Sequence, residues 1–113
     1  MKILIIGLGS MGKRRIRNLL KLGYKDIIGF DIRVDRINEV NKKYHIKTYF
    51  NIDNALLEKP HVMIISTPPN LHRKYAEIAI NKKINFFMEL NHSSKDVKAI
   101  IEKIKGKKLV AYP

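Results

Sequence analysis

Four groups of residues have the types and spacing to do chemistry. The first is Gly7-Leu8-Gly9-Ser10-Met11-Gly12, a G-x-G-x-x-G motif directly after the apolar run Ile3-Leu4-Ile5-Ile6. Between a strand and a helix, Gly7 permits a tight turn, Gly9 lets a pyrophosphate approach the backbone, and Gly12 lets the helix pack close to the strand. The helix N-terminus then offers free N–H groups and a positive dipole end to the phosphates. The second is Asp31, about 20 residues beyond the motif and at the end of the next apolar run. A carboxylate there accepts hydrogen bonds from adenosine ribose hydroxyls and repels a 2′-phosphate, which favours NAD over NADP. Arg33 and Arg36 follow closely and partly offset that repulsion. The third is Ser66-Thr67-Pro68-Pro69-Asn70-Leu71-His72. Each Pro keeps its predecessor extended, so the chain leaves the strand as a stiff arm over the carboxyl edge of the sheet. Asn70 is expected to cap the next helix, with His72 in its first turn facing the cofactor. An imidazole titrates near neutral pH, which makes His72 the candidate for proton transfer. The fourth is Glu89, straight after Phe86-Phe87-Met88 and at the same edge. Plainer readings stand beside these: an ordinary glycine turn, solvated strand-end carboxylates at Asp31 and Glu89, and a surface histidine. His45, His61 and His92 have no ligand spacing with acids, so no metal site is expected.

The elements that must position these groups follow from periodicity. Strands are expected over 2–6, 26–30, 47–50, 61–66, 84–88 and 107–111. Helices are expected over 10–22, 34–44, 52–57, 70–81 and 94–105. Continuous apolar runs such as Val62-Met63-Ile64-Ile65 fit strands buried on both faces. Strands alternating with helices imply βαβ units. The expectation is an α/β Rossmann fold: a doubly wound, parallel six-stranded sheet with helices on both faces. In the last helix, Val97, Ile100, Ile101 and Ile104 form one apolar stripe, Ser93-Ser94-Lys95-Asp96 is close to a capping box, and Gly106 sits where a C′ glycine belongs. All 113 residues are read as one dinucleotide-binding domain, with little chain left for a second.

Composition narrows the setting. No stretch approaches the roughly 18 apolar residues of a membrane span, and the first apolar run is too short for a signal peptide. With no Cys, disulfides, thiol nucleophiles and thiolate metal sites are excluded, and a cytoplasmic setting is the default. Lys and Arg outnumber Asp and Glu by 23 to 10, giving net +13. The charges are spread through every expected helix, with no basic tail and few interleaved aromatics. They read as a solvated surface that attracts an anionic cofactor, rather than as a nucleic-acid footprint.

From the glycine motif to the last strand, the sequence resembles the N-terminal domain of the glucose–fructose oxidoreductase/inositol dehydrogenase (Gfo/Idh/MocA) family. The specific part is Ser66-Thr67-Pro68-Pro69-Asn70-Leu71-His72, followed by Tyr75-Ala76 and Ala79. The resemblance implies NAD(P)-dependent redox chemistry at a carbinol carbon of a sugar, cyclitol or sugar nucleotide. It implies that Thr67, Pro68, Asn70 and His72 line the cofactor cleft, and that Glu89 matches the Glu of the family's Glu-Lys-Pro motif. Three positions depart: Leu90 and Asn91 stand where that motif has Lys and Pro, and Arg15 stands where many members carry His; the family's substrate-binding C-terminal domain is also absent, as expected of a chain truncated before it. The opening also resembles 3-hydroxyisobutyrate dehydrogenases, but Asp31 and the segment from Thr67 to His72 favour the first family. The alternatives left open are a free-standing NAD(H)-binding or regulatory module without a reaction of its own, and a basic interaction protein on the same scaffold. The exposed sheet edge is expected to dock a missing domain or to self-associate as a homo-oligomer.

Overall fold

A computed structural model describes residues 1–88 and 111–112. Its elements run β1 (Ile3–Ile6), α1 (Ser10–Lys21), β2 (Ile27–Phe30), α2 (Val34–Tyr44), β3 (Lys47–Tyr49), α3 (Ile52–Leu56), β4 (Val62–Ile65), α4 (Pro69–Asn81), β5 (Asn85–Met88) and β6 (Ala111–Tyr112). Strand order is β3-β2-β1-β4-β5-β6, and every neighbouring pair is parallel. The sheet is parallel as expected, and its sixth strand is Ala111–Tyr112, which meets the strand expected over 107–111 only at Ala111; residues 107–110 lie outside the described residues. The expected helix over 94–105, with its cap and Gly106, lies outside the described residues. No helix among the described residues is long and apolar enough to cross a membrane.

Alternation along each strand divides the core into two layers. Ile3 and Ile5 of β1, with Val62 and Ile64 of β4, pack under α1 and α2 against Ile16, Leu19, Ile37 and Val40. Leu4, Ile6, Met63 and Ile65 face the other way, toward Ala55 of α3 and Tyr75, Ala76 and Ala79 of α4. The central strands are apolar at every position because both faces are covered. Each such side chain adds about 1.5–3 kcal/mol by leaving water.

Each described helix ends in a left-handed residue. Gly23 (φ 93°), His45 (φ 56°), Lys59 (φ 54°) and Lys83 (φ 57°) occupy these positions. After α1, Gly23 N–H donates to the Leu20 carbonyl and Tyr24 N–H to the Leu19 carbonyl. After α4, Lys83 N–H donates to Ile80 and Ile84 N–H to Ala79, the same pair of bonds. Glycine suits this geometry; a residue with a Cβ is strained by about 1–2 kcal/mol there.

At the edge where the strands begin, Glu58 ties three elements together. It accepts from Lys2 Nζ at 2.8 Å and Lys47 Nζ at 3.1 Å, and the Tyr49 hydroxyl donates to the same carboxylate. The hydrogen bond from Lys2, followed by those from Tyr49 and Lys47, pulls the Glu58 pKa down to about 2. A depressed carboxylate pKa stabilises the fold above its unfolded value, and the contribution is lost as pH falls through the folded value. Glu58→Gln should therefore cost about 1–2 kcal/mol at neutral pH. Thermal melts of both proteins should show the gap narrowing as pH drops from about 4.5 toward 2. A gap that does not change over that window would contradict the assignment.

Candidate functional site

The chain reverses direction between β1 and β4. The connection through α1 leads from β1 outward to β2, and the one through α4 leads from β4 outward to β5, so a crevice opens at the carboxyl ends of the two adjacent central strands. Open parallel sheets bind ligands at such switch points. Here the crevice holds a cavity of about 510 Å³. Its wall includes Gly7, Gly9, Ser10, Met11, Asp31, Arg36, Ser66, Thr67, Pro68 and His72, all singled out from sequence.

The three motif glycines have separate reasons to lack a side chain. Gly7 has φ +94°, and a Cβ there would stand 2.9 Å from the Ser66 carbonyl oxygen. Gly12 faces away from the cavity; a Cβ would stand 1.8 Å from the Gly7 carbonyl oxygen, so α1 seats directly on the turn that ends β1. Gly9 is different: the three atoms nearest its missing Cβ belong to the flexible Arg36 guanidinium, at 3.4 Å and beyond. Its backbone is thus open to the cavity. Helix α1 has Gly9 as N-cap, no side-chain cap and no acid in its first turn. Its first hydrogen bond runs from Lys13 N–H to the Gly9 carbonyl, leaving the N–H groups of Ser10, Met11 and Gly12 without helical partners. An anion at that end meets free donors and no competing carboxylate in the first turn.

Leu8 does not face the cavity. Its side chain is fully buried in the α1/α2 layer, and its N–H donates to Asp31 Oδ2 at 2.8 Å. The other Asp31 oxygen accepts from Arg33 N–H at 2.8 Å, and Arg36 Nη1 lies 3.6 Å from Oδ2. Asp31 is 6 % exposed and so is aimed by the backbone around it, with lone pairs left for a ligand. Behind it stands Tyr75, 4 % exposed and edge-on to Phe30 at 5.9 Å. Burial, then the Asp31 charge, raises the Tyr75 hydroxyl pKa. Sequence reasoning missed Tyr75 as a wall residue. It lies one helical turn beyond His72, and that spacing could have placed it on the same face.

On the opposite wall, Ser66 Oγ and Thr67 Oγ1 are buried with no hydrogen-bond partner. Two orphaned hydroxyls in a cavity wall suit a polar ligand better than an empty apolar pocket. The arm that carries them is pinned by His72, whose Nε2 lies 2.8 Å from the Thr67 carbonyl oxygen. A carbonyl only accepts, so Nε2 holds the proton and, in the neutral ring, Nδ1 carries the lone pair. Asn70 does not cap α4. The helix starts one residue earlier than expected, with Pro68 as N-cap and Pro69 inside its first turn, because the fixed proline φ is already helical. Asn70 is exposed in that turn and is not among the residues that line the cavity. Glu89 and Leu90 lie outside the described residues. Among the described residues no group of three His, Asp or Glu side chains gathers as a metal site would require.

Residues 1–112 match the profile of an oxidoreductase family with an NAD-binding Rossmann fold. No curated protein matches the chain significantly. Among solved structures, the chain is similar to prephenate dehydrogenase from A. aeolicus in complex with hydroxyphenyl propionate and NAD+, at 25% identity and TM-score 0.74, covering 98% of this chain and 41% of that one. It is similar in fold to UDP-N-acetylglucosamine 3-dehydrogenase from Acidithiobacillus ferrooxidans, at 23% identity and TM-score 0.71 over 99% of this chain and 38% of the other. It is likewise similar in fold to myo-inositol 2-dehydrogenase from Lactobacillus plantarum, at 21% identity and TM-score 0.71 over 98% and 35%. The chain thus spans about two fifths or less of the length of these proteins. With a glycine turn, a helix N-terminus and a buried carboxylate meeting at one crevice, the chain belongs to the Gfo/Idh/MocA oxidoreductase family and forms its NAD-binding Rossmann domain.

Proposed function

We propose that the β1/β4 crevice holds NAD in preference to NADP, for an oxidoreductase acting on a CH–OH group of a sugar, cyclitol or sugar nucleotide. The observation that carries this is the pairing of an open glycine backbone with a buried, backbone-aimed Asp31 across one cavity. Family membership and the sugar- and inositol-acting enzymes of similar fold support the substrate class.

The roles follow from the chemistry of each group. Free N–H groups at Ser10 and Met11 bind the pyrophosphate, with Gly7 and Gly9 keeping the approach clear and Gly12 holding α1 in place. Asp31 accepts the adenosine ribose hydroxyls. Arg36, whose guanidinium lies against the open face of Gly9, adds a cation beside the phosphates and tempers the Asp31 charge. Ser66 and Thr67 offer their orphaned hydroxyls to the nicotinamide half, beside Pro68. NAD supplies hydride acceptance when bound. His72 is a positioning residue in this reading. Its Nε2–H is committed to the Thr67 carbonyl, so moving that proton would release the arm; only Nδ1 is left for proton exchange.

Two predictions separate these roles. Gly9→Val should abolish NAD binding in a folded protein, because its Cβ meets first the flexible Arg36 tip and its side chain then fills the phosphate approach. Gly12→Val should instead destabilise the fold, because its Cβ meets a backbone oxygen at 1.8 Å. Circular dichroism with NAD titration checks both; equal melting temperatures for the two variants would contradict the assignment. Asp31→Ala should cost about 1.5–3 kcal/mol of NAD affinity, the value of charge-assisted hydrogen bonds. NADP should lose little or gain. Calorimetry with NAD, NADH, NADP and NADPH reads this directly, and a wild type that binds NADP as tightly as NAD would refute the cofactor preference.

A further inference from the structure

In sequence the lysines are spread along the chain; in the fold many come together. Helices of a parallel sheet run back to the strand starts, so every helix-to-strand connection lies on the edge opposite the crevice. Lys21, Lys25, Lys42, Lys59, Lys82 and Lys83 all stand on or beside those connections. All six are exposed, and none makes an ion pair among the described residues. The acids described at this edge are Asp26 and Glu58, and Glu58 is already taken by Lys2 and Lys47.

A second observation points the same way. A helix dipole favours cations in the last turn and accounts for Lys21 and Lys42 with no ligand. Lys59 and Lys83 are past their helices, at φ 54° and 57°, where glycine is unstrained and Gly23 stands in the equivalent place after α1. Of the three non-glycine residues in this strained position among the described residues, His45, Lys59 and Lys83, two are lysines.

We propose that this edge binds the phosphate backbone of double-stranded nucleic acid, at the pole away from the cofactor. The connections into β3, β2, β4 and β5 spread these cations over about 19 Å of sheet width, at about 4.8 Å per strand. A duplex strand presents about five or six phosphates over that length. The unpaired cations are all lysines, which act as point charges on phosphate without reading sequence. Protein interfaces are depleted in Lys, so an acidic protein is a poorer fit. A membrane-binding surface needs one continuous apolar face, whereas the exposed Leu22, Leu57 and Ile80 come from three separate segments.

The test is fluorescence anisotropy with a 20-base-pair duplex DNA of mixed sequence across 50–200 mM salt. Wild type should bind with log K falling at a slope of about −5 against log salt, as six phosphate contacts require. The double variant Lys59→Gly/Lys83→Gly should flatten the slope by about 2. It should also melt higher, by about 4 °C or more, because the strain is relieved. Weaker binding by a more stable protein excludes unfolding as the cause. A control, Arg73→Ala/Lys74→Ala, removes equal charge from α4 near the crevice and should leave the slope unchanged. Equal flattening in both doubles would overturn the proposal, reducing it to net charge. So would absence of binding at 100 mM salt, or binding to phosphatidylserine vesicles without binding to the duplex. NAD titration alongside keeps this independent of the cofactor reading, since saturating NAD should not displace the duplex.

Discussion

Everything at the crevice depends on how closely α1 can sit on the end of β1. The Gly12 Cα rests against the Gly7 carbonyl with no room for a Cβ, and Gly7 itself turns through a φ open to glycine alone. These two contacts fix where the helix N-terminus points. They also place Leu8 so that its side chain enters the core and its N–H reaches Asp31. One steric constraint therefore aligns the helix donors and orients the carboxylate across from them. Had α1 stood farther out, its free N–H groups would face solvent and Asp31 would lose the donor that holds it.

The opposite wall is organised differently. It has no glycine turn and depends instead on two prolines and one histidine. Thr67 is held extended by Pro68, Pro69 starts α4, and His72 reaches back from the first turns of α4 to hold the Thr67 carbonyl. That closed loop leaves the Ser66 and Thr67 hydroxyls buried and unpartnered. An unsatisfied buried hydroxyl costs roughly 1–3 kcal/mol. The cost is carried where a polar ligand would remove it, which is where strain and unmet polar groups tend to collect in binding proteins.

Most of the architecture was legible because periodicity and turn chemistry agree. The runs at Ile3–Ile6 and Val62–Ile65 can only be strands buried on both faces, and the glycine motif fixes the helix that follows. The places of Gly7, Gly9 and Asp31 in the cavity wall were legible because spacing sets them at the ends of neighbouring strands. What was not legible depended on packing. Leu8 and Gly12 belong to the motif but face away from the cavity, which no spacing rule reveals. Asn70 has a good capping side chain, yet the proline before it had already begun the helix. Tyr75 and the Glu58 cluster arise from contacts between segments far apart in sequence, and the lysine edge arises from topology. Charges that look evenly spread along the chain are gathered once every helix runs back to the same side.

The most direct test of the central claim, that the dinucleotide lies in the β1/β4 crevice, is a nitrogen-15 NMR titration of the chain with NAD. Backbone amides of Gly7, Gly9, Ser10, Met11, Asp31 and Thr67 should shift together on one binding curve, while those of Gly23, Lys59 and Lys83 stay in place. Shifts confined to the helix-to-strand connections, or none at millimolar NAD, would contradict it.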